Sequence, residues 1–135
     1  MEGHRTIVTG VDLVDVARFT AMIEQRGEPF LSEVFTEKER ENTGTLSLAA
    51  RFAAKEAVAK ALGTGISAEV GWRAIEVVRE ASGAPSLRLL DGAARRARAL
   101  GLTSWSISLS HTRDAAVAFV IGAGPGVPTV VEVSA

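Results

Sequence analysis

Three side chains stand where ordinary folding would not put them, and each can handle a charged substrate: Asp12, Glu56 and Lys60. Asp12 interrupts the apolar, β-like stretch Ile7-Val8-Thr9-Gly10-Val11-Asp12-Leu13-Val14, where a buried carboxylate is costly without compensation. Capping a helix is its alternative role, but Asp15 already occupies the better capping position. Glu56 and Lys60 break a segment, residues 49–62, in which ten of fourteen positions are apolar and the only other exceptions are Arg51 and Lys55. At ~100° per residue both fall within an arc bordered by Phe52, Ala49, Ala53 and Ala57, not on a charged face. The plain alternative is a stabilising i, i+4 pair worth ~0.2 to 0.5 kcal/mol at a surface. If Asp12 and Glu56 converge, two like charges ~4 Å apart repel by ~4 kcal/mol at an effective dielectric of ~20. One of them must then hold a proton, or a cation must sit between them.

The rest of the sequence narrows that chemistry. Cysteine is absent, which removes disulfides, thiolate metal sites and a cysteine nucleophile. With only His4 and His111 available, a zinc site of the usual nitrogen and sulfur type is poorly supported. Two carboxylates completed by water and substrate phosphates are how magnesium is commonly held, so the expected substrate is a phosphate ester or pyrophosphate. Ser110-His111 suggests a hydrolase, yet neighbours on a strand point to opposite faces, as do Ser108 and His111. His111 is in phase with Trp105, Ile107 and Leu109, which fits a core or hairpin-end histidine; at the strand end it could also reach a phosphate. Gly63-Thr64-Gly65 follows a helix, at the wrong pole for phosphate, and is read as a helix stop.

These residues must be positioned by a chain of 135 residues, 47% of them hydrophobic, enough for one domain with a real core. Residues 6–13 read as a strand, followed by a helix capped by Asp15 and carrying Val16, Phe19 and Ile23 at helical spacing. Thr36 and Glu39 form a capping-box pattern. Ser47 is expected to cap the long helix, which ends near Leu62 before Gly63 and Gly65. Residues 72–79 and 87–90 should pair as a hairpin around Ser82-Gly83-Ala84-Pro85. Asp91 is expected to cap a helix ending at Gly101, with Arg95, Arg96 and Arg98 on its solvated face. Residues 105–111 alternate in period two and should pair with 115–121. The expected class is α+β, a single small domain with an antiparallel sheet and packed helices. Residues 1–121 form that domain, and 122–135 a tail, loose or adding an edge strand through residues 130–133.

No secretory signal pattern opens the chain, so cytoplasmic localisation is expected. The longest uncharged run, residues 115–131, is too short and too rich in glycine and proline for a membrane helix, so no membrane role is expected. A formal net charge of −1, from 15 basic and 16 acidic residues, offers no field for nucleic acid.

The chain resembles the small holo-acyl-carrier-protein synthases of the phosphopantetheinyl transferase superfamily. The resemblance runs over residues 7–121. It rests on Gly10-Val11-Asp12-Leu13 followed by Arg18-Phe19, on Phe35-Thr36 with Glu39, on Arg51-Phe52-Ala53-Ala54-Lys55-Glu56-Ala57 running to Lys60-Ala61-Leu62-Gly63-Thr64-Gly65, and on Ile107-Ser108-Leu109-Ser110-His111-Thr112. It implies a transferase-like fold in a homotrimer with sites built between subunits. It further implies that Asp12 and Glu56 hold Mg2+, and that Lys60, His111 and Arg51 contact the phosphates of coenzyme A. The turn at Pro85 resembles the one that packs near adenine. Arg18 would dock an acidic helix of an apo acyl carrier protein, or a polyketide or peptidyl one, with Met22, Gln25 and Arg26 continuing its stripe. The stripe is less basic than in some members, and residues 122–135 are an addition.

The implied reaction moves 4′-phosphopantetheine from coenzyme A to a carrier serine and releases adenosine 3′,5′-bisphosphate, with Glu56 or a metal-bound water as base. A carrier-gripping module without catalysis, and a metal-dependent phosphohydrolase using the same carboxylates, are the competing readings.

Overall fold

In the computed structural model, residues 5–41 and 43–127 are described. Strand β1 (Thr6–Asp15) enters helix α1 (Val16–Arg26), with Asp15 Oδ1 accepting from Arg18 N at 3.0 Å as the sequence led us to expect. Helix α2 (Glu28–Val34) follows at once, with a proline in its first turn. Sequence patterning did not reveal it, because its seven residues are too few for a clear apolar period. Helix α3 (Glu37–Arg40) opens with both halves of the Thr36–Glu39 capping box. Helix α4 (Thr45–Ala61) starts two residues before Ser47, after Gly44, so Ser47 lies inside its first turn and does not cap it.

A 3-10 turn (Trp72–Ala74) leads into β2 (Ile75–Arg79), which pairs antiparallel with β3 (Pro85–Leu89). Helix α5 (Asp91–Ala99) also corrects an expectation: Leu90 occupies the cap position, and Asp91 sits at φ 48° as the first helical residue. Strands β4 (Ser104–His111) and β5 (Ala115–Gly124) complete an antiparallel sheet of order β1-β5-β4. Strand β5 carries on past residue 121, and Gly124 stands opposite Thr6. Residues 130–133 and His4 lie outside the described residues.

Helix α4 packs across the inner face of this sheet, chiefly on β1 and β5. Ala49, Ala53 and Ala57 are fully buried there, and their small side chains let the helix come close to the strands. The approach is tightest at Gly10, where an added Cβ would overlap the Ala57 carbonyl. On the other side of α4, Phe19, Phe30, Phe35, Phe52 and Trp72 form an aromatic cluster, with Phe52 stacked on Trp72 at 4.9 Å between ring centroids. The end of α4 is closed by Arg96, whose Nε donates to Leu62 O at 3.0 Å. Arg96 is therefore half-buried and committed, whereas Arg95 and Arg98 stay exposed.

The outer face of the sheet is unusual. Ile7 is 69% exposed, Val11 54%, Leu13 70% and Phe119 43%, and the strand register places Val11 directly opposite Phe119. A contiguous apolar surface of this kind marks an interaction face.

Candidate active site

The Gly10–Ala57 approach decides where the chemistry sits. Asp12 follows Gly10 by two residues and so points to the same, inner face of β1; Glu56 precedes Ala57 on α4. Both carboxylates line one cavity of 310 Å³, together with Val14, Phe19, Phe52, Arg18 and Met22. Burial raises the pKa of Glu56, and the Asp12 charge raises it further, with Lys60 acting in the opposite direction. Lys60 does not make the i, i+4 pair with Glu56. It crosses to β1, where its Nζ donates to Asp12 Oδ1 at 2.9 Å and to Val11 O at 3.1 Å. Two carboxylates without a nitrogen or sulfur ligand suit a hard cation such as Mg2+. Among the described residues no three metal-ligating side chains cluster, so water and substrate oxygens would have to complete such a shell.

A second cavity, of 290 Å³, opens between α4, the β2–β3 hairpin and the end of β4. Arg51, Pro85 and His111 line it, with Arg79 beside them. Burial lowers the pKa of Arg51; nearby Glu39 opposes the shift and Arg79 adds to it. Arg51 Nη1 donates to Glu39 O at 2.7 Å and to Thr43 Oγ1 at 2.6 Å. Arg79 Nη1 donates to Gly83 O at 2.8 Å, which braces the hairpin turn. Guanidinium groups bonded to neutral oxygens in a shared cavity make it attractive to a polyanion.

The family model of the 4′-phosphopantetheinyl transferase superfamily matches residues 9–120. Over 126 residues the chain is 47% identical to the holo-[acyl-carrier-protein] synthase of Herpetosiphon aurantiacus, covering 87% of this chain and 99% of that one. The chain belongs to the holo-[acyl-carrier-protein] synthase family. Among solved structures it is similar to the synthase of Neisseria meningitidis, with a TM-score of 0.78 and 32% identity over 85% of this chain and 96% of that one. It is also similar to the Helicobacter pylori synthase solved in complex with coenzyme A, with a TM-score of 0.74 and 28% identity over 84% of this chain and 98% of that one.

Within this synthase fold the candidate residues fall into two groups. Asp12, Glu56, Arg18 and Met22 share the first cavity, and Lys60 joins them through Asp12. Arg51, Pro85 and His111 share the second. These two cavities have no lining residue in common, although His111 also lines a smaller one that shares Leu13 with the carboxylate cavity. Gln25 and Arg26 are exposed beyond the first cavity, and Arg26 is engaged by Glu33 at 3.3 Å and by the ring of Phe30.

Sequence reasoning missed a buried polar cluster. Lys55 is fully buried, its Nζ 2.7 Å from Glu39 Oε1. Burial lowers the pKa of Lys55, and Glu39 opposes that shift. The signal was present: Lys55 is one of the four polar residues in the apolar helix, and Glu39 already belonged to the capping box.

Proposed function

We propose that this protein transfers the 4′-phosphopantetheine group of coenzyme A to a serine of an apo carrier protein and releases adenosine 3′,5′-bisphosphate. The observation that carries the reading is the pair Asp12 and Glu56 in one cavity of a holo-[acyl-carrier-protein] synthase fold. In the reaction the serine Oγ bonds to phosphorus while the P–O bond to the adenosine bisphosphate breaks. Asp12 and Glu56 would hold Mg2+, which when bound would draw charge from the pyrophosphate oxygens. Lys60, already anchored at Asp12, offers its ammonium to the transferring phosphate. Glu56, or a water held beside it, would accept the serine proton.

Arg51 and His111 receive the phosphates at the nucleotide end, and the turn at Pro85 lies beside the adenine. Arg18 and Met22 stand on the rim of the carboxylate cavity and face the carrier, with Gln25 and Arg26 extending that docking stripe.

The separation of the cavities supports assembly. In a homotrimer the carboxylate cavity of one subunit meets the Arg51–His111 cavity of the next. The apolar face of Ile7, Val11, Leu13 and Phe119 gives such an assembly a surface to bury. Among the described residues no helix is long and apolar enough to cross a membrane, and the reaction, fed by coenzyme A and carrier, belongs in the cytoplasm.

The test is intact-mass spectrometry of an apo acyl carrier protein incubated with the enzyme and coenzyme A, with and without magnesium. A gain of ~340 Da that requires magnesium is expected. Unmodified carriers of fatty-acid, polyketide and peptide type, with well-folded enzyme, would refute the reading.

A further inference from the structure

The β2–β3 hairpin walls the second cavity, yet it shares no ladder with β1, β5 and β4. Its position against α4 therefore depends on side chains. Ile75 O and Val77 N lie two residues apart on one edge of β2, the edge turned away from β3. Such edge groups need partners when buried. Lys55 Nζ donates to Ile75 O at 2.6 Å and to Trp72 O at 2.9 Å, and Val77 N donates to Glu39 Oε2 at 2.9 Å. The Lys55–Glu39 pair thus stands in for a missing neighbouring strand. Thr36 Oγ1 adds a bond to Glu76 Oε2 at 2.7 Å. The main chain of Glu39 meanwhile holds Arg51, through the 2.7 Å bond from Nη1. One residue grips both walls of the cavity, α4 through its carbonyl and β2 through its carboxylate.

We infer that Glu39, braced by Lys55, is a positioning residue for the coenzyme A nucleotide, setting the gap between Arg51 and the hairpin that carries Arg79 and Pro85. The inference rests on the transfer reaction proposed above. An apolar pair of equal volume would fill the same space and keep the core packed, but it would leave the edge of β2 unbonded and the gap undefined. A displacement of about 1 Å in a binding group is enough to cost up to about a hundredfold in rate.

Glu39→Gln is the discriminating variant, because both carboxylate oxygens accept N–H donors. The less costly orientation keeps the amide oxygen on Lys55 and turns the amide nitrogen against Val77 N, which frees β2 at Val77 alone while Lys55 still holds Ile75 O. Steady-state kinetics at saturating apo carrier, calorimetric titration with adenosine 3′,5′-bisphosphate, and amide exchange at Val77 would be measured below the unfolding transition. The expected result is a KM for coenzyme A and a Kd for the bisphosphate raised about tenfold, kcat held within about threefold, and faster exchange at Val77. A lower Tm with unchanged KM and Kd would overturn the inference and leave the pair purely structural. Wild-type enzyme that binds the bisphosphate but transfers nothing would overturn the transfer reading instead. If E39Q does not fold, Thr36→Val, which loses both the bond to Glu76 and the cap on Glu39 N, is expected to show the same KM rise at about threefold, and an unchanged KM there would likewise overturn the inference.

Discussion

Glu56 is held in a state that suits chemistry and disfavours stability. Its pKa in the fold lies above its ordinary value, through burial first and the Asp12 charge second. Between the two values the folded chain holds a proton that the unfolded chain has lost, so stability falls as pH rises through that window and stays lowered above it. Replacing Glu56 by Gln removes the cost. Glu56→Gln is expected to unfold at the same or a higher Tm than wild type at neutral pH while transfer drops by about 10² to 10⁴. Magnesium with coenzyme A should raise the wild-type Tm more than that of the variant, because the cation would lose one of its two carboxylates while Arg51 and His111 still hold the nucleotide. Scanning calorimetry beside the mass assay checks both, and a Gln variant with normal turnover would dismiss Glu56 from its role.

At the scale of elements, the site depends on how closely a helix can lie on a strand. Gly10 and the alanine face of α4 set that distance, and they do so within two residues of Asp12 and one of Glu56. Gly10→Ala would push a methyl group into the Ala57 carbonyl. A stability loss of about 3 kcal/mol is expected, and transfer by the protein that still folds should fall further than stability explains, since the carboxylates separate. Denaturant unfolding and steady-state rates measured on the same preparation would show whether the two losses part. The hairpin behaves differently: it is tied to α4 by Glu39 and Lys55 and not by packing alone. Strand β2 was readable from its β-branched residues and its return as β3 from the Ser82-Gly83-Ala84-Pro85 turn, but the bonds that place the hairpin join residues up to 40 positions apart, and no local pattern reports such a pairing.

For the whole molecule, the proposed homotrimer makes its own predictions. If each site is built from two subunits, a chain defective only at Glu56 and a chain defective only at His111 should complement each other. Co-refolding Glu56→Gln with His111→Ala is expected to restore transfer that neither shows alone, through mixed trimers that contain one intact site. Absence of recovery, with mixed trimers demonstrated by native mass spectrometry, would place the whole site within one subunit. Val11→Lys combined with Phe119→Lys should give a folded monomer by light scattering, with transfer lost, because charges on that face cannot be buried against another copy.

The α+β class, the long helix, both hairpins and the carboxylate pair were legible because each leaves a local mark: an apolar period, a turn sequence, or a charge set among apolar neighbours. Helix α2 was missed and the caps at Ser47 and Asp91 were misread for the same reason, since one or two turns of chain hold too little pattern to outweigh their tertiary surroundings. The tertiary structure alone decided that Lys60 bonds Asp12 in place of Glu56, that Lys55 closes the edge of β2, and that Arg51 and His111 open into a different cavity from the carboxylates. Those facts depend on which surfaces meet once the helix lies on the sheet, and residue type and spacing along the chain carry no record of that meeting.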